Sequence, residues 1–268
     1  MSTERAEIRT DLQRDIAVLT IDHPRRHNSL TGEMIDEFIS VLGELADDPT
    51  VSVVVLTGAG AHFCAGMDIR ELSSARAEGI RMEERVTDAE EALADFPKPT
   101  IAAIRGYCIG GGAQLALACD LRVAARSSEF AFTPAKLGVI YPARTIRRMV
   151  RILGPATTKR LVITGNHIDS SLAERLGVVT EVVPEDTLVS HITALTDSIV
   201  ARSSITQRAA KEMIDAAACG QLNEEVERRW IDTHNPDLEI GLEAFLSGRS
   251  PQFRRPHGGD LDEWNSVL

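Results

Sequence analysis

The sequence predicts an α/β protein, and three observations carry that reading. Short runs of β-branched and aliphatic residues recur at 16–21, 51–56, 101–104, 121–125 and 178–183. Segments of helical period lie between them, the alternation expected when strands of one sheet are joined by helices. Two of the runs exit directly into glycine-rich stretches, LTGAGAH after the second and IRGYCIGGGAQ after the third.

The elements follow in chain order. After the first run, Thr31 is a plausible N-cap for a helix on which Ile35, Phe38, Ile39, Leu42 and Leu45 form one apolar face that packs on the sheet. Residues 70–94 are rich in Glu and Arg and poor in large apolar side chains, so this segment is expected to cover the surface loosely and to be mobile. GGGAQLALAC reads as a turn opening an apolar helix, and ARTIRRMVRIL as a helix with a basic face. Beyond residue 205 no strand pattern is present; TQRAAKEMIDAAACG and EEVERRWIDTHNPDLEIGLEAFLSG read as helices broken near Gly220 or Asn235–Pro236. The chain therefore divides into an α/β core over 1–204 and a helical segment over 205–268. No short-period repeat is visible, although the regular return of strands fits stacked structural turns.

Composition excludes several classes. At 268 residues, with 43% apolar and 26% charged residues, the chain can bury one large core. No stretch approaches the roughly 18 uninterrupted apolar residues of a membrane span, and MSTERAEIRTDLQRD has no apolar centre of a secretory signal; a cytoplasmic location is expected. A net charge of −11 argues against nucleic acid as the main partner. Cys64, Cys108, Cys119 and Cys219 have neither disulfide-framework nor zinc-site spacing, so packed thiols and no metal are expected.

The triple glycine has a chemical reading. Glycines permit backbone angles closed to other residues and let amides approach a ligand, while the first helical N–H groups lack intrahelical acceptors. The other loop contains Gly58 and Gly60, but Phe63 occupies the third glycine position of a dinucleotide fingerprint and no acidic residue follows at the expected strand end, so a Rossmann site is rejected. Two glycine-rich strand exits, each offering one amide, are the minimum for an oxyanion receptor.

On these residues a resemblance rests. HPRRHNSLT, LTGAGAHFCAGMDI, KPTIAAIRGYCIGGGAQLALACDLRVA, FAFTPAKLGV and GLEAFLSGRSPQF resemble, in order, the successive signatures of the crotonase (enoyl-CoA hydratase/isomerase) superfamily over about residues 15–255. The resemblance implies a ββα spiral core with a C-terminal helical oligomerisation segment, assembly as a homotrimer or dimer of trimers, and an acyl-CoA thioester as substrate; coenzyme A is then part of the substrate and no separate cofactor is expected. It implies that the thioester oxygen sits between the amides of Met67 and Gly111, flanked by Gly66 and Gly110. Arg26, His27, Ala65, Asp68, Ile69 and Arg70 match the coenzyme-binding wall.

The chain departs from the pattern where typical hydratases carry two glutamates. Gln114 stands at the first position and Pro134 at the second. An amide orients water but exchanges no proton near neutral pH, and proline has no polar side-chain atom; standard hydration is expected to be weak. FAFTPAKLGVIYP also resembles the methylmalonyl-CoA decarboxylase branch, which places a tyrosine where Tyr141 stands. Thr133, His62 and Arg144 are further candidates, Arg144 as a bidentate clamp for a substrate carboxylate. Three functions stay open: an enolate-stabilising acyl-CoA enzyme, a malonyl-type decarboxylase using Tyr141, and an acyl-CoA-binding protein without chemistry.

Overall fold

The computed structural model of the protein describes residues 5–253. The outer ends of the two expected segments, 1–4 and 254–268, lie outside the described residues.

β1 (Glu7–Gln13) and β2 (Ile16–Asp22) form an antiparallel hairpin across Arg14–Asp15, with Arg14 at φ 58°. From β2 onward the large sheet is parallel: β3 (Val53–Gly58), β4 (Thr100–Ile104), β6 (Leu121–Ala125) and β9 (Glu181–Val183) add in turn, for the order β1-β2-β3-β4-β6-β9. The apolar runs are continuous because both sheet faces are covered. Ala17, Leu19, Val54 and Leu56 belong to the main core, whereas Ile16, Val18, Val53 and Val55 face a second cluster with Leu188 and Ile192 of α8 (Leu188–Val200). Alternation along each strand assigns the two faces.

A second, small sheet runs β5 (Tyr107–Ile109), β7 (Glu129–Ala131), β8 (Ile168–Asp169). Each turn of the chain lays one strand in the large sheet and one in the small. β4 and β5 are followed by α4 (Gly111–Ala118). β6 and β7 are followed by α5 (Pro134–Leu137) and α6 (Ala143–Thr164), the latter kinked at Gly154 ahead of Pro155. After β3 the loop makes a single bridge, Cys64 to Cys108, in place of a full strand. This stacking is the spiral that the periodic return of strands foreshadows.

Three expectations need correction. The run at 178–183 is strand only from Glu181: Val178 N–H donates to Ala173 O and its carbonyl accepts from Arg122 Nε, so the first residues close the turn after α7 (Ser170–Arg175). The edge strand β1 escapes an apolar-run criterion because only Ile8 of it is buried. Residues 70–94 are not uniformly loose. α2 (Ile69–Ala77) buries little beyond Ala75, but α3 (Met82–Ala94) sinks Met82, Val86, Ala89 and Leu93 against α1 (Gly32–Asp47) and α4. Apolar residues spaced three to four apart suffice for a buried stripe even when the segment is charged overall.

The C-terminal part is α9 (Ser204–Ala218), α10 (Glu224–Ile231) and α11 (Asp237–Leu246), with breaks at both anticipated places. Cys64, Cys108 and Cys119 are buried thiols; Cys219 is exposed, 3.0 Å from Arg151 Nη1. Among the described residues no helix is long and apolar enough to cross a membrane.

Candidate active site

The loops leaving β3 and β5 meet at the head of α4, outside the carboxyl ends of parallel strands where α/β folds place ligands. Asn28 organises the first loop. It is fully buried at φ 60°, accepts from His23 N–H through Oδ1, and donates through Nδ2 to the carbonyls of Ala59 (2.9 Å) and His62 (2.6 Å). Gly58 has no room for a side chain: a Cβ there would lie 2.2 Å from the carbonyls of His62 and Phe63.

Next along this loop, Leu30 N–H donates to Gly66 O (2.7 Å) and Asp68 N–H to Leu30 O (2.9 Å), a parallel bridge centred on Leu30 and Met67. Successive peptide groups of an extended chain point to opposite sides, so this pairing turns the Met67 N–H away from Leu30 and toward α4. Asp68 then caps α2, its Oδ1 accepting from Arg70 N–H (2.9 Å) and Glu71 N–H (3.3 Å).

Each of the three glycines answers to a different constraint. Gly110, at φ 54° and ψ −119°, occupies a region closed to side-chain-bearing residues. Gly112 packs so closely on Cys64 that a Cβ would fall 2.6 Å from that residue's Cβ and carbonyl. Gly111 is uncrowded: a Cβ would meet nothing nearer than Leu30 and Val86 side chains at 3.5 Å and the Met67 nitrogen at 3.8 Å. As the first residue of α4 its N–H has no intrahelical acceptor. The Met67 and Gly111 nitrogens therefore flank one spot at the head of a helix whose dipole favours negative charge there.

That spot opens on a cavity of about 70 Å³, by a measure in which one water needs roughly 10–15 Å³. Ala65, Gly66, Met67, Ile69, Gly110, Gly111, Gln114, Thr133, Pro134 and Tyr141 all line it, which brings together ten of the fifteen candidate residues. Gln114 is buried, and its side chain hydrogen-bonds the Tyr141 hydroxyl, which also meets the Thr133 backbone. Burial dominates at Tyr141 and holds its phenol well above the ordinary range, with the Glu90 charge adding to the shift and the two hydrogen bonds opposing it. Tyr141 is a neutral donor at every physiological pH.

Five candidates lie elsewhere. Asp68 is used as a helix cap. His27, at φ 50°, stands edge-on to His62 (4.7 Å) and Tyr107 (5.8 Å), and His62 stacks on Tyr107 at 4.3 Å while its Nδ1 accepts from Tyr107 N–H. Desolvation and then the His27 charge depress the His62 pKa, so this stack walls the outside of the loop rather than the cavity. Arg26 and Arg70 are exposed. Arg144 corrects the carboxylate-clamp reading: its Nη2 pairs with Asp88 Oδ1 at 2.7 Å, and it lines a separate groove between α6 and the helices α9 and α10.

Two carboxylates passed over in the sequence come to the site on α3. Glu83 lines the cavity itself. Glu90 is buried behind it, accepting from Thr145 Oγ1 (3.1 Å) and Arg148 Nη1 (3.0 Å); burial pushes its carboxyl up to about 7 against the pull of Arg148. The available signal was the spacing of Glu83, Val86 and Glu90 at helical intervals, masked by the many surface charges around them.

With the geometry in place, comparison with known proteins is informative. Residues 11–256 match the family described as Enoyl-CoA hydratase/isomerase. The chain is 34% identical over 243 residues to "Probable enoyl-CoA hydratase echA8" of Mycobacterium tuberculosis, covering 89% of this chain and 94% of that one. It is 31% identical to 1,2-epoxyphenylacetyl-CoA isomerase of Escherichia coli, covering 92% and 97%. The crystal structure of enoyl-CoA hydratase from Bacillus anthracis superposes with a TM-score of 0.85 at 31% identity, covering 92% of this chain and 98% of that one. A match along nearly the whole chain, in both sequence and fold, places this protein in the enoyl-CoA hydratase/isomerase family.

Proposed function

We propose that the protein binds an acyl-CoA thioester and stabilises its enolate between the backbone amides of Met67 and Gly111. The observation that carries the reading is the convergence of these two N–H groups on one spot of the cavity, one turned there by the Leu30 bridge and the other left free at the start of α4. A thioester oxygen at that spot gains charge as the enolate forms, and fixed amides stabilise it more strongly in the transition state than in the ground state. Gln114, hydrogen-bonded to Tyr141, orients substrate or water but moves no proton. Pro134 closes the wall at the second position, so standard hydration is weak. The decarboxylase reading retains Tyr141 as a neutral donor inside the cavity but loses Arg144, which is paired with Asp88 outside it.

Gly111→Pro tests the proposal. Proline at the first helical position forfeits no intrahelical bond, so the variant deletes one N–H and little else. With enoyl-, acyl- and malonyl-CoA thioesters in heavy water, mass spectrometry should reveal hydration, α-deuteration or carbon dioxide loss by the wild type. Gly111→Pro should slow that chemistry by about 10²–10³-fold. Undiminished turnover by the variant would contradict the reading, and bound thioesters left unchanged by the wild type would favour binding without chemistry.

A further inference from the structure

Gln114 and Pro134 leave enolate chemistry without a proton carrier at the two usual positions, yet the cavity has a carboxylate. Glu83 lines it from the first turn of α3, one helical turn before Val86, whose Cγ1 lies 3.5 Å from where a Cβ on Gly111 would sit. Residues three apart share a helix face and are offset by about 5 Å along the axis. The carboxylate of Glu83 thus opens on the same space as the Gly111 N–H.

Its surroundings suit proton transfer better than a structural role. The Glu83 side chain is only 10% exposed, but neither of its cationic neighbours is within hydrogen-bond length: Arg81 Nε is at 3.6 Å and Arg76 Nη1 at 3.8 Å. Both arginines are themselves mostly exposed, at 58% and 72%, so they bias the charge without clamping it. A structural carboxylate at this depth would be expected to be fully hydrogen-bonded, as Glu90 is one and two-thirds turns further along with Thr145 and Arg148. Glu83 also borders a second recess, lined by Ile80, Gly138 and Ile140, through which a chain passing the carboxylate reaches the surface.

We propose that Glu83 is the proton-transfer group of this cavity and that, with one carboxylate in place of two, the reaction it carries is a proton shift within the acyl chain rather than addition of water. The proposal rests on the enolate-stabilising reading of Met67 and Gly111. The substrate class is a β,γ-unsaturated acyl-CoA. The Glu83 carboxylate takes a proton from the α-carbon, and the C–H electron pair moves into the thioester to give a dienolate whose oxygen lies on the two amides. The Glu83 carboxylic acid then returns that proton to the γ-carbon. The double bond comes to rest between the α- and β-carbons, and the carboxylate is regenerated. No water or second acid is consumed, so an amide at 114 and a proline at 134 are no handicap.

The test compares wild type, Glu83→Gln, Glu83→Asp and Gly111→Pro with a medium-chain β,γ-unsaturated acyl-CoA in heavy water. Conjugated product is read by absorbance, deuterium at the α- and γ-carbons by mass, and affinity for the saturated acyl-CoA by calorimetry. Wild type should convert the substrate. Glu83→Gln should do so about 10²–10⁴-fold more slowly while binding the saturated thioester as before, and Glu83→Asp should recover part of the rate. Retained conversion and exchange in Glu83→Gln, with Gly111→Pro inactive, would overturn the role of Glu83 and leave the enolate reading standing. A wild type without Gly111-dependent chemistry on any thioester would overturn both.

Discussion

Asn28 shows how one side chain far from any chemistry sets the position of an amide that matters. Fully buried, it ties the exit of β2 to both ends of the following loop, bonding Ala59 and His62 carbonyls and the His23 N–H. Removing it leaves three polar backbone groups without their partner in a site closed to water. Asn28→Ala should therefore cost about 2–4 kcal/mol in urea denaturation, and it should slow thioester chemistry because the Met67 amide shifts with its loop. A variant as stable as wild type would mean that the loop is held elsewhere. The contrast between Glu83 and Glu90 belongs to this scale too: both are acidic residues on one helix, but one has a shell of donors and the other faces a cavity.

Among elements, α3 has the largest influence on the site. It places Val86 beside Gly111 and Glu83 in the cavity wall, and it is pinned to α6 by the buried group of Glu90, Thr145, Thr87 and Arg148. Because burial raises the Glu90 carboxyl from 4.5 to about 7, the folded state holds its proton more tightly than the unfolded chain does. The resulting stability is present below pH 4.5 and is lost as pH rises through about 7. Melting temperatures followed across that window should show a downward component in wild type that Glu90→Gln lacks. Identical pH profiles for the two proteins would refute the coupling. The anticipated mobility of residues 70–94 applies to α2 alone, whose inner face buries only Ala75.

At the scale of the molecule, the spiral buries the sheet on both faces but leaves the C-terminal helices thinly attached. α9 and α10 bury no residue, and Ile231, Phe245 and Leu246 are 70%, 84% and 84% exposed. Apolar side chains this bare on neighbouring helices are the mark of a surface made to be covered. We propose that residues 205–268 act as the oligomer contact of a trimer or dimer of trimers, with the core over 1–204 carrying the thioester site. Sedimentation equilibrium should return three or six subunits, and replacement of Phe245 and Leu246 by Ser should lower that number. A monomeric wild type would contradict the proposal.

The local sequence determined much on its own. Continuous β-branched runs can exist only where both faces of a strand are buried, so the parallel sheet was legible in 16–21, 51–56, 101–104 and 121–125. The family motifs, the glycine-rich exits and the absence of glutamate at 114 and 134 were equally legible, because each is a property of residue type and spacing. Tertiary structure decided what depends on distance. It sent Arg144 to Asp88, spent Asp68 on a helix cap, and set His27 against His62 and Tyr107. It also brought Glu83 from a stretch that reads as solvated surface into the cavity of Gly111, more than twenty residues away in the chain. Charge on a helix is a one-dimensional fact. Which charges face water and which face a cavity is settled only when α3 lies down between α1 and α4 and its apolar stripe chooses the side that is buried.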